Sequence, residues 1–178
     1  GPVLMSVLSG LEQALWDIKG KALGAPVYEL LGGPVRDRVK IYAWIDGDTP
    51  EKLAEEAAGK MEQGYLAIKI LGPGAMEWID TPAKTRAVGK RLAAIRNQLG
   101  DDLQVAVDFH GRVHRAQVPR LLEELEPHTP YFVEEPLAPE FNHLLGNVSS
   151  ATTIPLATGE RLYTRWDFRE ILENGWID

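Results

Sequence analysis

The chain has 178 residues, 44% of them hydrophobic and 25% charged, which is the composition of a globular protein with enough apolar side chains for a core. Its net charge of −7, without any run of Lys or Arg, argues against nucleic acids and membranes as partners. The chain has no Cys, so any metal must bind oxygen or histidine. We therefore expect a cytoplasmic protein that acts on a small molecule.

The first predicted element is an amphipathic helix that ends near Gly24 and Pro26. Its apolar face consists of Leu8, Leu11, Leu15, Ile18 and Ala22. Residues 39–44, which are rich in β-branched and aromatic side chains, then predict a strand. Thr49 followed by Pro50 predicts the capped start of a second helix.

Strand and helix patterns alternate through the rest of the chain. The predicted strands are 65–71, 103–109, 131–134 and 154–158, and the predicted helices are 82–99, 116–125, 141–150 and 166–172. A sixth strand would begin at residues 176–178. This alternation indicates an α/β fold with a parallel sheet, either part of a (β/α) barrel or a doubly wound sheet. About five and a half units are too few for a closed barrel, so the sheet is open or the chain is a fragment.

Acidic residues end three successive predicted strands at equal intervals of 26 residues. They are Asp108, Glu134 and Glu160. The carboxyl ends of parallel strands meet at one rim of the sheet, where functional groups cluster in such folds. A single acid at a strand end is adequately explained by exposure to solvent. Three carboxylates at one rim would repel one another without a cation, and hard oxygen ligands favour Mg²⁺.

The segments around these acids resemble the metal-binding segments of mandelate-racemase-type enzymes of the enolase superfamily. They read Val-Asp-Phe-His-Gly-Arg at 107–112, Phe-Val-Glu-Glu-Pro at 132–136 and Ala-Thr-Gly-Glu-Arg at 157–161. The first is similar to the galactonate-dehydrating branch of the family. Residues 15–33 resemble the segment that leads from the family's capping domain into its barrel.

The resemblance implies a partial (β/α) barrel of the TIM-barrel type over residues 35–178, without the capping domain and the last strands. Residues 1–34 would then be the helical linker from the capping domain into the barrel. It also implies that Asp108, Glu134 and Glu160 bind Mg²⁺ and that His110 protonates a departing hydroxyl group. Histidine is the side chain best matched to proton transfer near neutral pH. The resemblance puts the general base, a His with an Asp partner, beyond Asp178.

Lys69 and Arg112 are candidates for contact with the substrate. Many family members have a Lys-x-Lys pair here whose second Lys is a base, but this chain has Lys69-Ile70-Leu71, which disfavours a racemase or cycloisomerase. Lys69 can approach a substrate carboxylate or serve as a structural residue. Arg112, like Arg161, can pair with the acids or with the substrate.

Two neighbours of the proposed ligands are assigned lesser roles. Strand alternation predicts that Glu135 points away from the rim, which leaves it a supporting role at most. His114 has the i+4 spacing from His110 of a helical zinc pair, but Gly111 and a strand-to-helix turn lie between the two residues. We therefore expect His114 on a solvated loop.

We therefore expect a hydro-lyase that removes the α-proton and the 3-hydroxyl group of an aldonate, giving a 2-dehydro-3-deoxy acid, with galactonate as the leading substrate. One alternative is another acid-sugar dehydratase of the superfamily, acting on gluconate, mannonate or arabinonate. The other is a catalytically inactive truncated remnant. The intact protein is expected to be a homo-oligomer, and the 178 residues alone are expected to be inactive, because they lack the base and the cap.

Overall fold

The computed structural model describes all 178 residues and divides into two compact units, residues 1–40 and 41–178. The sequence put the end of the linker at residue 34, a few residues before this division. None of the helices combines the length and the apolar character that a membrane span requires.

The first unit is built on the predicted opening helix, α1 (Pro2–Leu23), followed by the short helix α2 (Val27–Leu30). Helix α1 ends at Gly24, whose φ of 67° is readily adopted by glycine. The apolar positions that predicted the helix are not buried in this chain. The side chains of Leu8, Leu11, Leu15 and Ile18 are all exposed.

The second unit is a five-stranded parallel sheet with helices between the strands. The strands are β1 (Ala43–Ile45), β2 (Ala67–Leu71), β3 (Gln104–Asp108), β4 (Val133–Glu134) and β5 (Leu156–Ala157), and they pair in chain order. The helices are α3 (Pro50–Glu62), α4 (Pro82–Leu99), α5 (Val118–Leu125), α6 (Leu145–Ser149) and α7 (Arg165–Glu173), with 3-10 helices at Glu126–His128 and Pro139–Leu144. This strand order is that of an open part of a (β/α) barrel, which is one of the two folds that the alternation allowed and the one that the resemblance implied.

The structure corrects the predicted lengths of several elements. Residues 39–44 were predicted as a strand, but only Ala43–Ile45 pair with β2. Val39 and Ile41 precede the paired residues and are mostly exposed. Their β-branched side chains made the predicted strand longer than the part that pairs with β2. Strands β4 and β5 are also shorter than predicted. Residues 141–150, predicted as one α-helix, begin within a 3-10 helix.

Parallel pairing gives the sheet two different faces. Ile68 pairs with Val105 and Ile70 with Val107, and all four side chains are fully buried in the core that helices α3, α4 and α5 complete. Lys69, between the two isoleucines, lies on the opposite face, because successive side chains along a strand alternate. Apolar burial therefore fixes one face of the sheet and leaves the other for polar groups.

The α4–α5 contact depends on a glycine. A Cβ atom at Gly89 of α4 would lie 2.8 Å from the backbone oxygen of Glu124 on α5, closer than atoms can pack without movement. A Cβ atom at Gly59 of α3 would meet no neighbouring atom within 4 Å. Glycine is therefore required at residue 89 and only tolerated at residue 59.

We expect Gly89→Ala to lower the free energy of unfolding by about 1 to 3 kcal/mol, because overpacking outweighs the better helix propensity of Ala. Gly59→Ala is the matched control and should raise it by about 0.5 to 1 kcal/mol. Urea denaturation of both variants measures the difference. Equal effects of the same sign would contradict the proposed close contact.

Candidate active site

The three acids of the sequence pattern lie at the carboxyl edge of the sheet. Asp108 ends β3 and pairs in register with Glu134, which ends β4. Glu134 is in turn the register partner of Ala157, and Glu160 follows three residues later, beyond the end of β5. Asp108 is only 2% exposed, Glu134 is partly buried and Glu160 is exposed. The edge therefore contains one buried carboxylate and two carboxylates that are more accessible to solvent.

Lys69 connects two of these carboxylates from strand β2. Its Nζ lies 2.6 Å from Oε2 of Glu134 and 3.6 Å from Oδ2 of Asp108. The rings of Tyr42 and Trp44 flank the ammonium, each centroid 5.3 Å from Nζ. Burial by itself lowers the pKa of Lys69, but the hydrogen bond to Glu134 and the attraction of both carboxylates outweigh it, so the pKa is raised. Lys69 therefore stays charged at neutral pH.

His110 lies between the first and third acids. Its backbone N–H donates to Oδ1 of Asp108 at 2.7 Å, and its φ of 54° is in the left-handed region. Its Nδ1 is 3.7 Å from Oδ2 of Asp108 and 3.7 Å from Oε1 of Glu160. The imidazole is 40% exposed, so it contacts the acidic edge while remaining accessible to a ligand.

Arg161 connects the loop after β5 to the loop after β3 by a hydrogen bond. Its Nη2 donates to the backbone oxygen of His110 at 2.6 Å, and its Nε lies 3.4 Å from Oε1 of Glu160. A Cβ at Gly111 would lie 2.6 Å from Nη1 of Arg161, so a glycine makes room for the guanidinium. The sequence left open whether Arg161 pairs with an acid or with a substrate. In the structure it pairs with an acid.

Arg112 is exposed and borders a cavity of about 180 Å³ that Gly111, the residue after His110, also lines. The same cavity is lined by Trp78, His114 and Phe141. His114 lies on the loop between β3 and α5, as expected, but it is partly buried, because its ring centroid is 4.6 Å from that of Trp78 and 6.1 Å from that of Phe141. The apolar partners come from the loops after β2 and β4, which the local sequence around His114 does not reveal.

Glu135 takes a more definite part in the site than the sequence suggested. It is 1% exposed, and its Oε1 accepts hydrogen bonds from Oγ1 of Thr158 at 2.9 Å and from the N–H of Gly159 at 2.8 Å. The only signal in the sequence was its position next to Glu134. Its partners lie more than 20 residues further along the chain.

The donor chemistry of the edge suits a hard divalent cation. Asp108, Glu134 and Glu160 offer only carboxylate oxygens, which Mg²⁺ prefers. Two of the three already share one positive charge, the ammonium of Lys69. In the arrangement described here, no three His, Asp or Glu side chains converge closely enough to hold one ion. The three residues suit a metal ion because they offer carboxylate oxygens and because they lie at the same edge of the sheet.

Comparison with known families identifies the class of protein. A family model described as Enolase C-terminal domain-like matches residues 52–178, and the model for the mandelate racemase / muconate lactonizing enzyme N-terminal domain matches residues 2–32. The chain therefore belongs to the enolase superfamily, in its mandelate racemase / muconate lactonizing enzyme group. The resemblance of the sequence motifs to this family is confirmed.

Similar proteins include dehydratases. A D-galactonate dehydratase from Variovorax paradoxus (strain S110) is 45% identical over 177 residues, which are 99% of this chain and 46% of that protein. A solved enolase superfamily member from Salmonella Typhimurium matches with a TM-score of 0.90 at 32% identity, over 99% of this chain and 51% of the other. An enolase from Pantoea ananatis, solved with bound D-gluconate and Mg, matches with a TM-score of 0.80 at 28% identity, over 93% of this chain and 48% of the other. The chain spans about half the length of these relatives.

We expect Lys69→Met to lower the free energy of unfolding by about 2 to 3 kcal/mol at neutral pH, because two carboxylates lose the cation they share. A raised pKa means that this contribution is complete below the ordinary value of 10.5 and is lost as the pH rises through the folded-state value. The difference from the parent should therefore be constant between about pH 6 and 9 and shrink above about pH 10.5.

Urea denaturation across this pH range measures the effect of Lys69→Met. Lys90→Met is the matched control, because Lys90 is exposed on α4, and it should change stability by less than about 0.5 kcal/mol. A Lys69→Met variant as stable as the control would show that the ammonium does not hold the two carboxylates together.

Proposed function

We propose that this chain is part of a Mg²⁺-dependent hydro-lyase that dehydrates an acid sugar, with D-galactonate as the substrate and the 2-dehydro-3-deoxy acid as the product. One observation carries the proposal. An imidazole, that of His110, lies within 3.7 Å of carboxylate oxygens from two of three acidic strand ends at one edge of a parallel sheet. The similarity of the chain to D-galactonate dehydratases supports the choice of substrate.

Asp108, Glu134 and Glu160 would hold the metal ion. A bound Mg²⁺ would stabilise the negative charge that develops on the substrate carboxylate when the neighbouring carbon loses its proton. The chain's own contribution is a fixed set of oxygens. Asp108 is held by its buried position and by the N–H of His110, and Glu134 lies beside it in register.

His110 would act as the general acid. Elimination of a hydroxyl group needs a proton donor at the departing oxygen, and imidazole donates protons efficiently near neutral pH. Its Nδ1 lies 3.7 Å from carboxylate oxygens of Asp108 and Glu160, and its 40% exposure leaves it open to the substrate. Its left-handed backbone is retained by the bonds to Asp108 and Arg161, so the backbone that carries the ring has a defined conformation.

Lys69 would provide charge rather than act as a base. A general base must be unprotonated before it accepts a proton, and the raised pKa of Lys69 keeps it protonated at neutral pH. Its ammonium can balance the acidic edge and attract a substrate carboxylate. Arg112, exposed beside the adjoining cavity, is the second proposed contact for the substrate. The base is not assigned to any of these residues.

D-Gluconate is the second candidate substrate. It is favoured by the similarity of the chain to the Pantoea ananatis enolase that was solved with D-gluconate and Mg. Galactonate and gluconate have the same configuration at the two reacting carbons and differ only in the hydroxyl group on the next carbon along the chain. The residues proposed for metal binding and acid catalysis therefore serve either substrate equally well.

Activity of the full-length protein tests the proposed function. With Mg²⁺ it should convert galactonate to the 2-dehydro-3-deoxy acid faster than gluconate, mannonate or arabinonate, and chelation of the metal should abolish turnover. Asp108→Ala should lower the affinity for Mg²⁺ by more than about tenfold in calorimetric titration. Asp102→Ala, an exposed acid near the start of β3, is the control and should bind as the parent does. No turnover of any aldonate by the parent would favour the inactive remnant.

We expect His110→Asn to reduce dehydration by about 10² to 10⁴-fold while exchange of the α-proton remains measurable, because the acid and the base are different residues. NMR of the substrate in heavy water measures both reactions in one sample. His143→Asn, which alters an exposed histidine, should leave both rates unchanged. Product formation at the parent rate in His110→Asn would remove His110 from the mechanism.

A further inference from the structure

Glu135 is a buried carboxylate that the proposed chemistry does not use. It is 1% exposed, and its φ of 46° lies in the left-handed region, which is uncommon for a residue other than glycine. A buried charge and an unusual backbone conformation both cost stability. Both are retained here directly after Glu134, so their contribution to the site needs a physical explanation.

The hydrogen bonds of Glu135 join the ends of three strands. Its side chain accepts from Thr158 and Gly159, in the loop after β5. Its backbone N–H donates to the oxygen of Ala157 at 2.9 Å, and its backbone oxygen accepts from the N–H of Gly111 at 3.0 Å. The residue therefore contacts the loops that carry His110 and Glu160, while it directly follows Glu134.

The loop after β5 needs such an anchor. The ladder with β4 includes only Leu156 and Ala157, so the backbone leaves the sheet before it reaches Glu160. Gly159 has a φ of 144°, a conformation that side chains disfavour and that gives the loop no intrinsic rigidity. The bonds from Thr158 and Gly159 to one carboxylate oxygen hold this turn against β4. Hydrogen bonds to a charged acceptor are stronger than those between neutral groups.

We propose that Glu135 is a positioning residue that fixes Glu160 relative to Glu134, and thereby sets the spacing of the metal ligands. This inference rests on the proposed function. Glu135 itself is buried and bonded to the protein, so it acts through Glu160 and not by contact with a substrate. A residue that orients a metal ligand contributes to affinity for the metal, typically by 10 to 100-fold.

Two substitutions separate the hydrogen bonds of Glu135 from its charge. Glu135→Ala removes both. Glu135→Gln removes the charge but keeps an oxygen that can accept from Thr158 and Gly159. Thr158→Val removes one of the two bonds, and Glu140→Ala removes an exposed acidic charge from the nearby loop as a control. All four are made in the full-length protein, and the probe is Mn²⁺, titrated and followed by electron paramagnetic resonance.

We expect the dissociation constant for Mn²⁺ to rise about 10 to 100-fold in Glu135→Ala, to rise less in Thr158→Val, and to stay within about threefold of the parent in Glu135→Gln and Glu140→Ala. Thermal unfolding is measured in parallel, because the amide of Glu135→Gln leaves a buried NH₂ group without a partner and lowers stability. If the Glu135→Gln protein is less stable but retains its affinity for Mn²⁺, the effect of Glu135→Ala reflects the position of Glu160 and not a general loss of structure. If Glu135→Ala does not fold, Thr158→Val provides the decisive comparison.

Parent-like Mn²⁺ affinity in Glu135→Ala, or in Thr158→Val when it stands in for that variant, would overturn the positioning role while leaving the metal site intact. Equal losses in Glu135→Ala and Glu135→Gln would overturn it as well, since charge alone would then account for the effect. A parent protein that binds no Mn²⁺ would instead refute the proposed metal site, and the role of Glu135 would fall with it.

Discussion

The parallel register of the five strands is the constraint on which the rest of the second unit depends. Because paired residues share a face, burial of Ile68, Ile70, Val105 and Val107 against the helices commits the intervening positions to the opposite face. A shift of β2 by one residue would bring Lys69 into the apolar core. The hydrophobic core and the polar edge are therefore specified by the same pairing.

Electrostatic balance is the second requirement of this edge. Asp108 is almost fully buried, and a carboxylate in that position is stable only with charged or hydrogen-bonding partners. The structure supplies the ammonium of Lys69 on one side and the N–H of His110 on the other. A divalent ion bound at the same carboxylates would compete with Lys69 for their negative charge. Lys69 would then be partly released from its two partners, and its ammonium could attract the proposed substrate, which is itself an anion.

The sequence predicted the features that depend on local pattern. Spacing and residue type predicted the alternation of strands and helices, the helix start at Thr49 and the acidic strand ends. In the structure, Thr49 accepts the capping hydrogen bond from the N–H of Lys52. Features that depend on distant pairs were not predictable in the same way. The bond between Lys69 and Glu134 joins residues 65 apart, and the partly buried position of His114 requires rings from the segments after β2 and β4. The limits of the strands were missed because side-chain propensity does not determine where a ladder ends.

The hydrogen bond between Arg161 and the backbone of His110 joins residues 51 apart, across the intervening strand β4. Contacts of such separation close a long loop, and they form late when a chain folds, after local helices and neighbouring strands. The left-handed turn at His110 therefore acquires its last support only when the segment after β5 has docked. A chain whose synthesis has reached only β4 lacks Arg161, and therefore lacks this hydrogen bond to the backbone of His110. The turn at His110 is thus completed later than the contacts between neighbouring strands.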